Sequence, residues 1–272
     1  MAAATQTHKT PPIQKQSIFF TRDYRHLPRP QLSMWLFVAV FVLPVFAGIL
    51  LFYPQISFAV ATWVSGVITG NTGVPTAVIS SDFIPMIGPV YLVEIAGSLP
   101  TRLFSILNFV IAGIILFYGA LFRKKGFRAM VIYVCIAMFI HMIASFYFIF
   151  FPEYFPYTLV NYSELYMEQQ IALWICIAGI SGFAIALIFS SFLSKLIAFA
   201  ATMVYTGLYG VTRYVIYLLV LHYFSSLYMA TLFFTLGMLF DFLQMVFIYV
   251  LYVQHASKGF GKPKMGRLWR WA

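Results

Sequence analysis

The sequence has few charged residues. Only 9% of its 272 residues are Asp, Glu, Lys or Arg, while 62% are hydrophobic. A soluble globular domain has about 25% charged and about 45–50% apolar residues. The 17 basic and 7 acidic side chains cannot supply the polar surface of a soluble fold of this length. The composition therefore excludes a soluble globular protein and predicts a membrane protein.

Motifs for catalysis and metal binding are also scarce. The two cysteines, Cys135 and Cys176, each lie inside an apolar run, so neither predicts a disulfide, a thiolate metal site or a thiol mechanism. No pair of His or carboxylate residues has the same-face spacing of an intramembrane metal site. A phosphate-binding loop, a serine nucleophile elbow and a prenyl-phosphate acidic pair are missing as well. The sequence thus predicts no metal and no cofactor, and it leans away from an enzyme.

What the sequence does contain is long apolar segments. Six of them are long enough to cross a hydrocarbon core of about 30 Å, which takes about 20 helical residues. They cover residues 32–53, 103–122, 129–151, 171–193, 196–224 and 227–253. The predicted fold class is an all-α polytopic membrane protein with about six transmembrane helices in a domain of residues 32–253. Basic tails of residues 1–31 and 254–272 flank this domain.

The basic residues cluster on one side of this arrangement. Fifteen of the 17 Lys and Arg residues lie in the two tails, in the loop after the second span and in the fourth-to-fifth turn, which carries Lys195. The positive-inside rule predicts that this side, with both termini, is cytoplasmic, in a plasma or inner membrane. The excess charge is then a topology signal and a contact for anionic lipid rather than a nucleic-acid or protein-docking patch. The opposite side carries the acidic residues Asp82, Glu94, Glu153, Glu164 and Glu168.

Residues 54–100 form the largest predicted extracytoplasmic segment. Residues 56–68 are apolar but short, which predicts an interfacial or re-entrant helix. Two β-branched runs, 74–80 and 89–95, flank a turn-like stretch at 85–88 and predict a small β-hairpin over the membrane surface. Such a hairpin either covers a site that opens to the outer leaflet or is a simple ordered loop.

Residues 152–170 form the second predicted external loop, which is rich in aromatic residues and glutamate. Glu164 and Glu168 are four residues apart and would share a helix face. They mark a candidate external ligand loop for a polyol, a sugar or a cation, although a cation site lacks a third ligand. The alternative is an aromatic belt at the membrane interface.

Two charged residues lie inside predicted spans. Arg213 is 12 residues before Ser225 and Asp241 is 15 residues after Ser226. At about 1.5 Å per residue these depths differ by roughly 4–5 Å, and an ionised group at mid-bilayer costs roughly 2.5–3.5 kcal/mol. The two are therefore predicted to pair, either as a structural ion pair or as a catalytic or proton-relay pair. His222 is the third catalytic candidate.

His141 lies in the third span. A single histidine on an apolar helix is more often hydrogen-bonded in the packing than a metal ligand. The small residues Ala178, Gly182 and Ala186 recur every four residues in the fourth span and predict a face for close helix packing.

The C-terminal third shows a family resemblance. Residues 209–217, YGVTRYVIY, and the following Leu221-His222-Tyr223-Phe224 resemble the Arg-bearing helix of exosortases and archaeosortases, which are membrane transpeptidases. The resemblance implies that Arg213 matches the helix Arg of that family. The family's nucleophilic Cys would fall near residues 96–101, AGSLPT, which contain none, and His222 lies on the helix face opposite Arg213. The resemblance implies a degenerate relative without cysteine-peptidase chemistry.

Two functional hypotheses follow. The first is a non-catalytic integral membrane subunit or scaffold that acts at the extracytoplasmic face and binds partner subunits. The second is a membrane enzyme or carrier, degenerate and exosortase-like, that handles a lipid-linked or secreted substrate at the outer leaflet. The missing catalytic motifs favour the first hypothesis.

Overall fold

The computed structural model describes residues 32–84, 87–121, 128–188 and 190–257. Six helices of this part of the chain are long and apolar enough to cross a membrane. The prediction of an all-α polytopic membrane protein is therefore confirmed. The predictions for the basic tail 1–31, for the basic residues at 123–125 and for residues 258–272 concern positions outside the described residues.

The chain forms eight α-helices and one two-stranded sheet within these ranges. Helices α1 (Leu32–Phe37) and α2 (Leu43–Thr72) are joined by one π-helical segment, and the strands β1 (Thr76–Ile84) and β2 (Gly88–Ile95) follow. The remaining helices are α3 (Arg102–Leu121), α4 (Arg128–Phe150), α5 (Leu159–Leu187), α6 (Phe192–Phe224), α7 (Met229–Leu236) and α8 (Met238–Ser257).

The first spanning helix is much longer than predicted. It runs without interruption over Leu32–Thr72, which is 41 residues or about 62 Å at 1.5 Å per residue. Residues 56–68 are helical as predicted, but they continue the same helix, so the re-entrant alternative is wrong and an interfacial position stays a prediction. Pro54 removes one backbone donor, but Ser57, Ala61 and Val64 are buried beyond it, and this packing maintains the helix. The helix ends at Gly73, whose φ of 70° lies in the left-handed region.

The predicted hairpin is present, but it packs beside the helices rather than over their ends. β1 and β2 pair antiparallel, with a register shift between Asp82 and Ile84. Val93 in β2 contacts Tyr214 of α6, ten residues before that helix ends. Buried residues of β2 share one core with helices α2, α5 and α6; those of the strand are Val90, Leu92, Val93 and Ile95.

Helix α5 begins 12 residues before the predicted start of the fourth span. A capping box explains this start, because the Thr158 side chain accepts from the Asn161 amide and the Asn161 side chain accepts from the Thr158 amide. Residues 159–170 are therefore helical and not a loop as predicted, and Glu164 and Glu168 lie four residues apart on this helix, as expected for a shared face. The fourth-to-fifth turn ends at Ser191, which caps α6.

Lys195 does not lie in that turn either. It is buried in the first turn of α6, and its Nζ donates a 2.8 Å hydrogen bond to the carbonyl oxygen of Ala186. A cation thus binds a carbonyl in the last turn of α5, where the helix dipole favours positive charge.

The sixth span is interrupted. It consists of a 3₁₀ turn at Ser226–Tyr228, then α7, then α8, with the break at Gly237 (φ −80°, ψ −120°). A Cβ atom at Gly237 would overlap the carbonyl oxygen of Phe233, which explains why glycine stands there. Helix α8 continues to Ser257, so the first residues of the predicted 254–272 tail are helical.

The first and last helices meet at one end of the bundle. Met34 and Phe37 of α1 share a buried cluster with Ile185 of α5 and Tyr252 of α8. An even number of crossings brings these segments to the same end. Which side of a membrane this end faces stays a prediction.

Candidate functional site

Arg213 and Asp241 form a buried ion pair between α6 and α8. Arg213 Nη2 and Asp241 Oδ2 are 2.7 Å apart, and the two side chains are 5% and 0% exposed. Asp241 lies in the first turn of α8, where the helix dipole favours a carboxylate. The structure thus brings together two of the three catalytic candidates.

The rest of the Arg213 guanidinium group binds other protein atoms. Nε donates to the hydroxyl of Tyr166 (2.9 Å), Nη2 also donates to Oε1 of Gln170 (2.7 Å), and Nη1 donates to the carbonyl oxygen of Gly237 (3.0 Å). These bonds compensate much of the cost of burying a charge. The Gly237 carbonyl oxygen, at the break of the sixth span, also accepts from the amide of Phe240 (3.2 Å).

Tyrosine rings surround the same group. The guanidinium carbon lies 5.4 Å from the ring centroids of Tyr166 and Tyr209 and 5.8 Å from that of Tyr217. Cations at such distances are attracted to aromatic faces, most strongly where water is excluded. Arg213 therefore ties α5, α6 and the α7–α8 break together.

Several buried polar atoms of α5 and α8 have no hydrogen-bond partner among the described residues. Two are acceptors, Oδ1 of Asp241 and Oε1 of Gln244, and two are donors, Nε2 of Gln170 and Nε1 of Trp174. Gln244 also donates from Nε2 to the hydroxyl of Thr206 (2.8 Å). The interface of α5, α6 and α8 thus has more polar groups than the ion pair itself satisfies.

Glycine is required where α5 approaches α6. A Cβ atom at Gly210 would overlap the side-chain amide of Gln170, and the carbonyl oxygen of Gly210 accepts a 2.8 Å hydrogen bond from Tyr166. Sequence reasoning identified neither Tyr166 nor Gln170, because their positions fell in a predicted loop. The signal that could have found them is their i, i+4 spacing on one helix face.

His222 lies apart from the ion pair. Its Nδ1 is 2.6 Å from the carbonyl oxygen of Ala96, in the segment that connects β2 to α3. The nine residues that separate His222 from Arg213 correspond to about 14 Å along α6. The three catalytic candidates therefore do not form one site in this structure.

Glu164 and Glu168 lie on α5 near the hairpin. The carboxylate of Glu164 accepts a hydrogen bond from the hydroxyl of Ser81 in β1, so this residue attaches the hairpin to the helix. Within the described ranges, no group of three or more His, Cys, Asp and Glu side chains is placed to hold a metal ion. A role of the two glutamates in ligand binding stays a prediction.

His141 belongs to a second buried polar cluster. Its Nδ1 lies 2.9 Å from the hydroxyl of Thr231 in α7, and its Nε2 lies 3.2 Å from Oδ1 of Asn108 in α3. Tyr228 donates to the same Asn108 oxygen (2.8 Å) and lies against the imidazole ring. These hydrogen bonds connect α3, α4 and α7, in agreement with the packing role predicted for His141.

The geometry thus defines an integral membrane protein with a buried ion pair at a broken spanning helix. Comparisons with protein-family models, with curated proteins and with solved structures find no match to this chain.

Proposed function

We propose that this chain is a non-catalytic integral membrane subunit or scaffold that acts at the extracytoplasmic face. The observation that carries the proposal is the burial of Arg213 and Asp241, 5% and 0% exposed, with protein acceptors on all three guanidinium nitrogens. A group that acts on a substrate has to be reachable, whereas a group that joins three helices has to be enclosed.

The separation of the polar groups supports the same proposal. His222 binds Ala96, Glu164 binds Ser81 and His141 binds Asn108 and Thr231. Each contact joins different structural elements, as expected of residues that stabilise a framework.

The membrane orientation belongs to the proposal as well. The clustering of basic residues supports cytoplasmic termini in a plasma or inner membrane, with anionic lipid bound on that side. The hairpin and α5 then present Asp82, Glu94 and Glu164 at the extracytoplasmic side, where we propose that partner subunits bind.

Purification from native membranes tests the proposal. A tagged chain, crosslinked in its own membrane and extracted in mild detergent, should carry a partner subunit at a fixed stoichiometry. The variant that combines Arg213→Met with Asp241→Leu should retain this partner if it folds, because the pair is structural. Recovery of the crosslinked chain alone would contradict the proposal.

The break at Gly237 favours a second candidate, the membrane enzyme or carrier. Discontinuous spanning helices often form substrate or ion sites in membrane proteins, and Asp241 Oδ1 is buried there without a partner among the described residues. The exosortase-like resemblance around Arg213 belongs to this candidate. A double variant that stays folded and keeps its partner but loses its cellular function would favour it.

A further inference from the structure

The outer edge of β2 is hydrogen-bonded to hydroxyl groups of three helices. The amide of Tyr91 donates to Ser57 of α2 (3.1 Å), and the amide of Val93 donates to the hydroxyl of Tyr214 in α6 (2.9 Å). The carbonyl oxygen of Val93 accepts from Ser163 of α5 (2.8 Å). These hydroxyls replace a third strand, so this edge of the sheet is closed.

The register of the hairpin fixes the direction of the groups on β1. Tyr91 pairs with Ser80 and Val93 pairs with Val78. Because Tyr91 and Val93 direct their amides away from β1, these are non-hydrogen-bonded pairs, and Ser80 and Val78 direct their backbone groups away from β2. Thr76 and Asp82 are an even number of residues from Val78 and Ser80, so their backbone groups also point away from β2.

This outer edge of β1 is open. Among the described residues, no backbone hydrogen bond is found for the outward groups of Thr76, Val78, Ser80 or Asp82. Unpaired strand edges bind extended chains readily. The two edges of one hairpin thus differ, since helices close one and leave the other available.

The charges around the open edge define its partner. Asp82 and Glu94 are exposed on the hairpin, and Glu164 is half-buried beside Ser81. A second copy of the chain would bring the same carboxylates together, and like charges across a strand pair are destabilising. A basic partner would be attracted instead.

We infer that the outer edge of β1 binds an extended, basic segment of another protein by strand addition. Backbone groups of the segment pair with those of Val78 and Ser80, and its Lys or Arg side chains lie on one face of the sheet, near Asp82 or near Glu164. The inference rests on the proposed function, because it specifies which surface of the scaffold a partner uses.

A peptide-binding assay on the full-length protein in lipid nanodiscs tests the inference. The probe is an equimolar mixture of fluorescent peptides of about ten residues that alternate Lys or Arg with Val, Ile or Thr. Two further mixtures are the controls. One has Asp and Glu in place of the basic residues. In the other, every second backbone amide is N-methylated, and the mixture includes peptides methylated at odd positions and peptides methylated at even positions. We expect binding of the basic mixture, weaker at high salt, and at least about tenfold weaker binding of both controls.

Ser80→Pro is the matching protein variant. Its amide points away from β2, so proline removes no hydrogen bond of the hairpin but blocks strand addition. It should weaken binding by at least about tenfold, while Ser80→Ala should stay within about twofold of the original protein. The N-methylated peptides test the same contact on the unmodified chain if Ser80→Pro does not fold.

Several results would overturn the inference. The first is that the basic mixture does not bind, or that acidic or N-methylated peptides bind as tightly as the basic ones. The second is that folded Ser80→Pro binds the basic mixture as tightly as the original protein. The third is a disulfide-linked dimer of Ser80→Cys chains, which would identify a second copy as the occupant. A partner that co-purifies equally with the original chain and with Ser80→Pro overturns the inference and leaves the proposed function intact. If the chain binds the basic peptides but is recovered from its membrane without a partner, the inference is supported and the proposed function is overturned.

Discussion

Arg213 donates a 3.0 Å hydrogen bond to the carbonyl oxygen of Gly237, the residue at which the sixth spanning helix is interrupted. The same oxygen also accepts from the amide of Phe240 (3.2 Å) in the first turn of α8, so the arginine adds a second hydrogen bond at the break. The residue at the helix break and the buried charge therefore stabilise each other.

Removing one partner of the ion pair should destabilise the protein. We expect Asp241→Asn to reduce the free energy of unfolding, because it leaves the buried Arg213 charge without a counter-ion. The loss should be near the lower end of the roughly 3–5 kcal/mol that breaking a buried ion pair costs. Arg213→Met combined with Asp241→Leu should recover much of this loss. Unfolding in detergent micelles measures both variants, and a double variant no more stable than Asp241→Asn would show that the pair itself is not the critical element.

The helix break should depend on glycine. Gly237→Ala places a Cβ atom against the carbonyl oxygen of Phe233, so we expect a loss of about 1–3 kcal/mol in the free energy of unfolding. Gly113→Ala in α3 is the matched control, because its Cβ meets no atom within 4 Å, and it should be neutral or stabilising by up to about 1 kcal/mol. Equal stability of the two variants would argue against strain at the break.

The orientation can be tested with reporter fusions. Reporters placed after Lys125 and after Lys258 should report the cytoplasm, and reporters near Asp82 and Glu164 should report the opposite side. The physical reason is the concentration of basic residues on one side of an even number of crossings. An extracytoplasmic C-terminus would contradict this topology.

Neither cysteine is expected to carry chemistry. Cys176 is exposed on the outer face of α5, and Cys135 is half-buried next to Gly119 of α3. Replacement of each by Ala should leave cellular function intact with a modest loss of stability. A folded, inserted single variant without function would restore a thiol mechanism and exclude the scaffold proposal.

The pairing of Arg213 with Asp241 can be predicted from the sequence, whereas the residues around this pair cannot. Arg213 and Asp241 are costly in hydrocarbon and lie at similar depths, so a pairing follows from simple energetics. Tyr166 and Gln170 follow two glutamates in a stretch that hydropathy assigns to a loop. The capping box of Thr158 and Asn161 starts the helix earlier, and hydropathy alone does not weigh such local hydrogen bonds.

In the first helix, local sequence signals predict an end that the structure does not show. Pro54 and the polar residues after it indicate a stop at the membrane boundary, yet the helix continues to Thr72. Its C-terminal half is maintained by contacts with β2, a partner that is distant in the chain from residues such as Tyr53. Tertiary packing of this kind overrides local signals.

The hydrogen bond from Val93 to Tyr214 can form only after the ribosome has synthesised Tyr214. The two residues are 121 positions apart, and at about 5–20 residues per second the ribosome needs roughly 6–24 s to make the intervening chain. At the start of this interval β2 is already present, but α5 and α6, two of the three helices that close its edge, have still to be made. The nascent protein therefore passes through a stage in which both edges of its hairpin are open, and membrane insertion of α5 and α6 ends this stage.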